Sequence, residues 1–332
     1  MKTVSKFFGL IALCAAAFAS CQKEQVFEED QLSDAVEEDG TRAVGTKKSI
    51  TLMTYNVCAF SLYETKYPDI KNKKSIFTDI ASVIDDSGAS YVSLNEVDWQ
   101  NIHRVNVDQK SSNPKGYLKL IHNINQIDAL VSRSTNNWYY RYFGTVSYNG
   151  GNDGYVGNGI LSKMRVIKKD GKDCCKRVSL ALDTPIYVDQ STGHVEANRG
   201  LLIIETEDCV FASTHLGLTK AAMEKQVEKI NAHFVNYYSD CDKPVFLCGD
   251  FNATPTQMKT LMPEKDWQRI SKTDIITKNP NCIDYILCWK GNKNAPVVKC
   301  TESYVIKDKK AGKYLMSDHY PVCAKVEWVT KK

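Results

Sequence analysis

The 332-residue chain has a formal charge of +4, made up of +2 in residues 1–20, −7 in residues 21–40 and +9 from Thr41 onward. A basic body suits an anionic substrate without identifying one. About 290 residues remain after the N-terminal segments, enough for one large α/β domain or two small ones; the lack of internal repeats and low-complexity breaks excludes a repeat array and favours one domain.

Lys2 and Lys6 precede an apolar stretch from Phe7 to Ala19 that ends in small residues before Cys21, the pattern of a cleaved secretory signal over residues 1–20. The stretch is too short to span a bilayer as a helix. "FASC", Phe18 to Cys21, resembles a bacterial lipobox, which implies lipidation at Cys21 and membrane anchoring of an exported protein, on the periplasmic face or the cell surface. Phe18 stands where Leu is usual. Residues 21–45 then read as a solvated acidic tether: Gln22 to Gly40 holds eight acids against one Lys and has no sustained apolar face. The domain proper is expected over residues 46–332.

Short apolar runs bordered by polar residues dominate this body. "ITLMTY" runs into Asn56, "YVSL" into Asn95 and Glu96, "CVFAST" into His215, and "VFLCG" into Asp250 with Asn252 two residues on. Rich in Val, Ile, Phe and Tyr, these are predicted strands. Two runs reverse the order: Asp284 opens "YILCW", and Asp318 and His319 open "YPVCAKVEW". If all these polar groups share one edge, the strands must run in both directions. Between them, Ile76, Phe77, Ile80, Val83 and Ile84 form one helical stripe, and Met223, Val227, Ile230 and Phe234 form another after a Thr219 cap. Strand and helix in alternation with mixed strand direction predict an α/β layered domain. The ten cysteines after Cys21 include no C-x-x-C pair and mostly sit in apolar runs, which predicts buried thiols or a few disulfides rather than a zinc site.

An edge carrying Asn56, Glu96, His215, Asp250, Asn252, Asp284, Asp318 and His319 is hard and oxygen-rich, without thiolate. Such a set favours Mg²⁺, with Mn²⁺ or Ca²⁺ as substitutes, over zinc or copper. Phosphate-ester hydrolysis needs what it offers: a cation to neutralise charge, an activated water and a donor for the leaving oxygen.

"YN" at Tyr55, "NEV" at Asn95, "GNGILSK" at Gly157, "STHLGL" at Ser213, "GDFN" at Gly249, "IDYIL" at Ile283 and "SDHYPV" at Ser317 stand in the order found in the endonuclease/exonuclease/phosphatase superfamily. The resemblance covers Ser49 to Val329 and extends to exported lipoprotein members from Bacteroidetes. It implies a deoxyribonuclease-I-like α/β fold, a four-layered sandwich of two mixed β-sheets flanked by helices, and a metal-dependent phosphoesterase acting by in-line attack of water. Glu96 resembles the principal metal carboxylate, with Asn56 and Asp318 near the ion. Asp250 resembles the group that orients or deprotonates the water, and Asn252 a phosphate contact. His215 resembles the histidine that stabilises phosphate charge or protonates the leaving group. His319 resembles the second catalytic histidine, with Asp284 as its carboxylate partner. Both His319 and Asp250 stand as candidates to take the water's proton.

Asn158 is expected at the phosphate or beside His215, with a structural amide as the alternative, and Arg104 is a candidate for substrate phosphate. Tyr155 is a candidate to line the cleft. His103, His122, His194 and His233 lack motif context and are expected to be non-catalytic. A phosphodiester is the expected substrate, as in a nuclease. The alternatives are a sphingomyelinase-like enzyme, for which Trp267 and the stretch to Pro280 would have to touch membrane, an inositol- or sugar-phosphate phosphatase, and a non-catalytic phosphate-binding surface module. A monomer is expected.

Overall fold

The computed structural model describes residues 45–60, 76–99, 126–149, 154–191, 193–272, 276–278, 280–307 and 316–330. The expected signal, Cys21, the acidic tether, His103, Arg104 and His122 lie outside these residues.

Two six-stranded mixed sheets form the centre. The first holds β1 (Lys47–Asn56), β2 (Tyr91–Trp99), β3 (Tyr140–Asn149), β4 (Gly154–Ser162), β15 (Lys299–Val305) and β16 (Val322–Val329), in the order β15-β16-β1-β2-β4-β3. The second holds β7 (Cys175–Ser179), β10 (Gly200–Glu205), β11 (Val210–His215), β12 (Val245–Asp250), β13 (Trp267–Arg269) and β14 (Asp284–Trp289), in the order β13-β14-β12-β11-β10-β7. Two small hairpins, β5 (Lys168–Lys169) with β6 (Lys172–Asp173) and β8 (Tyr187–Asp189) with β9 (His194–Val195), decorate the region before β10. The predicted mixture of directions is present: β1 with β2 and β11 with β12 run parallel, and the other pairs in the two large sheets antiparallel.

The alternation of each strand serves two cores at once. One face of each sheet meets the other sheet through Leu52, Tyr91, Ile160, Leu202, Phe211, Phe246, Ile286 and Val326. The far face of the first sheet packs on α1 (Ile76–Asp86) and α2 (Gln126–Val131) through Met53, Val92, Phe77, Ile80, Ile84 and Ile127. That of the second packs on α3 (Lys220–Tyr238) and α4 (Pro255–Leu261) through Ala212, Leu247, Met223, Ile230, Phe234 and Met258. Strands buried on both faces read as near-continuous apolar runs, which is why "VFLCGD" shows no alternation. The result is the four-layered α/β sandwich.

Thr219 caps α3, its Oγ1 accepting the Ala222 N–H at 3.3 Å. Thr219→Ala is expected to cost about 1 kcal/mol, read as a lower urea midpoint at unchanged slope.

One expectation changes here, and the cysteines follow the buried-thiol branch of theirs. Trp267 is fully buried, its ring centroid 5.7 Å from that of Phe234 and its Nε1 donating to Asn231 Oδ1 at 3.2 Å, so it is core and touches no membrane. No disulfide joins the ten described cysteines; Cys209, Cys248, Cys282, Cys288 and Cys323 are buried. No helix among the described residues is long and apolar enough to cross a membrane.

Candidate active site

Strand register gathers the polar residues at one edge. Asn56 lies opposite Asn95 across the parallel β1–β2 pair, and His215 opposite Asp250 across the parallel β11–β12 pair. β14 is antiparallel to β12, which puts its first residue, Asp284, opposite the last residue of β12, Asp250. In an antiparallel pair the end of one strand meets the start of the other. That is why Asp284 opens its run while the others close theirs.

Close backbone approach is needed for this row. Gly249 has φ +154°, and a Cβ there would lie 1.8 Å from Thr214 O on the neighbouring strand. Glu96 and Asn252 are non-glycine residues at φ 55° and 49°, a left-handed conformation that costs on the order of 1 kcal/mol or more and concentrates at functional positions. For Glu96 the cause is a register shift between Leu94 and Val97 on β2, a bulge that re-aims its side chain. Asn252 likewise reaches the site through a turned backbone.

Asn95 ties the two sheets together. Its Oδ1 accepts the Asp250 N–H at 3.0 Å, and its Nδ2 donates to Thr214 O at 2.8 Å and to Asn158 Oδ1 at 3.1 Å. Asn158 in turn donates to Gly200 O at 3.1 Å, so it supports this tie. Asn56 Nδ2 donates to Glu96 Oε1 at 3.0 Å and to Asp250 Oδ2 at 3.1 Å, while its Oδ1 accepts the Cys58 N–H. A buried amide thereby joins two carboxylates from different sheets.

At the centre, His319 Nδ1 lies 2.9 Å from Asp284 Oδ2, and its Nε2 lies 3.6 Å from Asp250 Oδ2. His319 and Asp318 sit in a bend before β16. There Ser317 Oγ donates to Asn56 O at 2.6 Å and accepts the His319 N–H. The bend lets neighbours diverge: His319 turns toward Asp284, and Asp318 toward Lys278, whose Nζ is 3.2 Å from Asp318 Oδ2. On the other side His215 Nε2 lies 3.1 Å from Asn252 Nδ2 and 3.6 Å from Asp250 Oδ2, and Asn252 Nδ2 also donates to Leu216 O.

Burial, reinforced by the Asp284 charge, pushes the Asp250 carboxyl up to about 7 despite opposing help from His319 and its hydrogen bonds. Burial pulls His319 down, but the Asp284 charge and hydrogen bond outweigh it and raise the imidazole to about 9. Burial, followed by the charges of Arg199, His319 and Lys278, holds His215 neutral, well below its ordinary range. Neutral His215 can accept the Asn252 N–H at Nε2.

Asp250, Asp284 and His319 each place one ligand atom within 4.8 Å of the others. Because His319 and Asp284 already engage each other, this triad reads as a proton-handling pair beside a third acid. The carboxylate oxygens of Glu96 and Asp318 are hard donors of the kind a divalent ion takes. Asn56 turns its Nδ2 toward Glu96 and gives its Oδ1 to the Cys58 N–H, and Lys278 is paired with Asp318.

Three neighbours of the site had no assigned role in the sequence: Asn95, Arg199 and Lys278. Arg199 is largely buried, its Nε has no hydrogen-bond partner, and its charge is felt by Asp250, Glu196 and Glu96. Its signal was present, since "NRGLLIIE" puts a polar residue just before a buried strand, as at Asp284. Tyr155 is half-buried on β4. His194 is exposed on β9, and His233 lies on α3 with its ring against Tyr237, 4.5 Å between centroids.

A model of the Endonuclease/Exonuclease/phosphatase family matches residues 53–319. No curated protein matches the chain. Among solved structures, an endonuclease/exonuclease/phosphatase from Beutenbergia cavernae is 18% identical, with 86% of this chain and 72% of that one covered and a TM-score of 0.55. The human Nocturnin catalytic domain with bound sulfate anion is 14% identical, with coverage of 86% and 97% and a TM-score of 0.53. A mannosyl-6-phosphatase from Bacteroides thetaiotaomicron is 14% identical, with coverage of 83% and 99% and a TM-score of 0.52. These likenesses show a shared fold, and the family match spans the residues from β1 to the His319 bend, so the chain belongs to the Endonuclease/Exonuclease/phosphatase family of phosphoester hydrolases.

Proposed function

We propose that this protein is a Mg²⁺-dependent phosphodiester hydrolase, exported and anchored through a lipid on Cys21. The observation that carries the chemistry is the buried row Asp284–His319–Asp250, in which two acids flank one histidine at 2.9 and 3.6 Å. Their environments divide the labour. His319, raised to about 9, is an imidazolium at neutral pH and holds its protons. Asp250, raised to about 7, is the acceptor for the proton of the attacking water. Its Oδ2 accepts from Asn56 and its Oδ1 from the Asn252 N–H, which fixes the carboxylate plane.

Glu96 and Asp318, with Asn56 beside them, are the residues that would hold the metal. When bound, the ion supplies charge neutralisation at the phosphoryl oxygens and lowers the pKa of a bound water. Arg199 is the substrate-phosphate residue in this reading: a largely buried guanidinium with an unpartnered Nε beside Asp250 is placed for an oxyanion. Neutral His215 and Asn252 pair with one another on the same side and complete the pocket wall.

The diester preference rests on the +9 body. A sugar-phosphate monoester is the second reading, favoured by the likeness to the mannosyl-6-phosphatase. Anchoring rests on residues 1–21 alone. The test is hydrolysis of bis-p-nitrophenyl phosphate, plasmid DNA, p-nitrophenyl phosphate and mannose 6-phosphate with Mg²⁺ or EDTA. Turnover of the diesters that EDTA abolishes is expected; turnover confined to the monoesters moves the assignment to a phosphatase. Arg199→Ala is expected to raise KM by about tenfold to a hundredfold, the loss of one charge-assisted contact to phosphate, with a smaller fall in kcat.

A further inference from the structure

The segment before β14 brings an ammonium into the acidic centre. Lys278 Nζ lies 3.2 Å from Asp318 Oδ2, with the two side chains 39% and 31% exposed. Its charge is also felt by Asp250 and Glu96, and it opposes the protonation of His215 and His319. An ordinary exposed Lys–Asp pair contributes little and moves freely.

Here the main chain that carries the lysine is fixed, which sets where its side chain starts. The N–H groups of Thr277 and Lys278 both donate to Asn281 O, at 3.0 and 2.9 Å. Thr277 Oγ1 accepts from the N–H groups of Ile283 and Asp284, and Thr277 O accepts from the Tyr320 N–H at 2.7 Å. The residue before Lys278 is thus pinned both to the strand that Asp284 opens and to the bend that carries Asp318 and His319. Neither link depends on the lysine side chain, so the charge can be removed without removing the scaffold.

We propose that Lys278 is a resident single charge in the metal centre, which neutralises Asp318 and confines the site to one divalent ion held chiefly by Glu96. The inference rests on the metal-dependent reading above. In two-metal phosphoesterases the ions sit roughly 4 Å apart and share carboxylates. A second ion beside Asp318 would have to lie next to the ammonium, and like charges at such distances in a half-buried site repel strongly enough to lower affinity by more than about tenfold. The same repulsion acts more weakly on the first ion.

The test is Mn²⁺ binding to the full chain, by titration calorimetry and by electron paramagnetic resonance of free Mn²⁺, for the wild type, Lys278→Gln and Lys278→Arg. One Mn²⁺ per chain is expected for the wild type and for Lys278→Arg. Lys278→Gln is expected to bind its first ion at least about tenfold more tightly and to take up a second. Circular dichroism melts check folding, and Lys278→Met carries the same expectation if the Gln variant does not melt cooperatively. Two ions in the wild type, or unchanged or weaker binding in the charge-removing variants, overturns the proposal and leaves metal dependence standing. A folded wild type that binds no Mn²⁺ overturns both.

Discussion

His319→Ala is expected to lower kcat by about a thousandfold, the usual scale for losing a positioned proton-handling group. The imidazole is buried, its Nδ1 is 2.9 Å from Asp284, and its Nε2 faces Asp250. Alanine also leaves Asp284 as a buried charge without its partner, which costs on the order of 3 kcal/mol or more in stability. A urea melt must therefore accompany the kinetics. Asp284→Asn separates the two effects, because it keeps the volume and removes only the charge.

The pH profile supplies the sharper readout. With Asp250 as the proton acceptor, kcat/KM is expected to rise as its carboxyl ionises near 7 and to fall as His319 loses its proton near 9. Asp284→Asn removes the main cause of the raised imidazole, so the descending limb is expected to move to lower pH. A profile whose descending limb stays in place would remove Asp284 as the partner that tunes His319. The pair also links stability to pH. His319 has a higher pKa folded than its ordinary 6.5, so its stabilising contribution is complete below about pH 6.5 and is lost as pH rises through 9.

Asn95→Leu is expected to destabilise the protein by about 4 kcal/mol, since a near-isosteric apolar side chain strands three buried groups that each cost roughly 1–3 kcal/mol when unpaired. They are the Asp250 N–H, Thr214 O and Asn158 Oδ1. Equilibrium urea unfolding measures the loss. Because the Asp250 N–H is one of them, the variant is also expected to lower kcat in conditions where it remains folded. Asn95→Asp sets a buried carboxylate against Thr214 O and Asn158 Oδ1, so at least as large a loss is expected. A loss under about 1 kcal/mol for Asn95→Leu would mean that the tie carries little of the energy.

Much of the sheet framework was legible because the strands are short, apolar and bounded. "ITLMTYN", "CVFASTH" and "VFLCGD" became β1, β11 and β12 with their terminal polar residues in place. The helical stripes became α1 and α3, and Thr219 caps the latter. Trp267 misled because an aromatic residue reads the same way in a surface loop and on a short edge strand against a helix; its burial depends on Phe234, which lies over thirty residues earlier in the chain. Asn95 and Arg199 depend on distant partners for a related reason. Asn95 stands beside a residue with a motif role and Arg199 at a strand mouth like that of Asp284, and the groups that give each its importance lie far away in the sequence.

The sequence by itself determined which residue types close or open each strand, because alternation, strand length and capping are local properties; that carboxylates, amides and imidazoles share one edge was its condition for strands running both ways. Only the tertiary structure decided which of them meet. His319 joins Asp284 and not its neighbour Asp318 because a bend turns adjacent side chains apart. The Asp250 carboxyl is pushed up to about 7 because burial and a second acid act on it together. Both outcomes depend on distance and dielectric between segments remote in the chain, and neither quantity is written in local sequence.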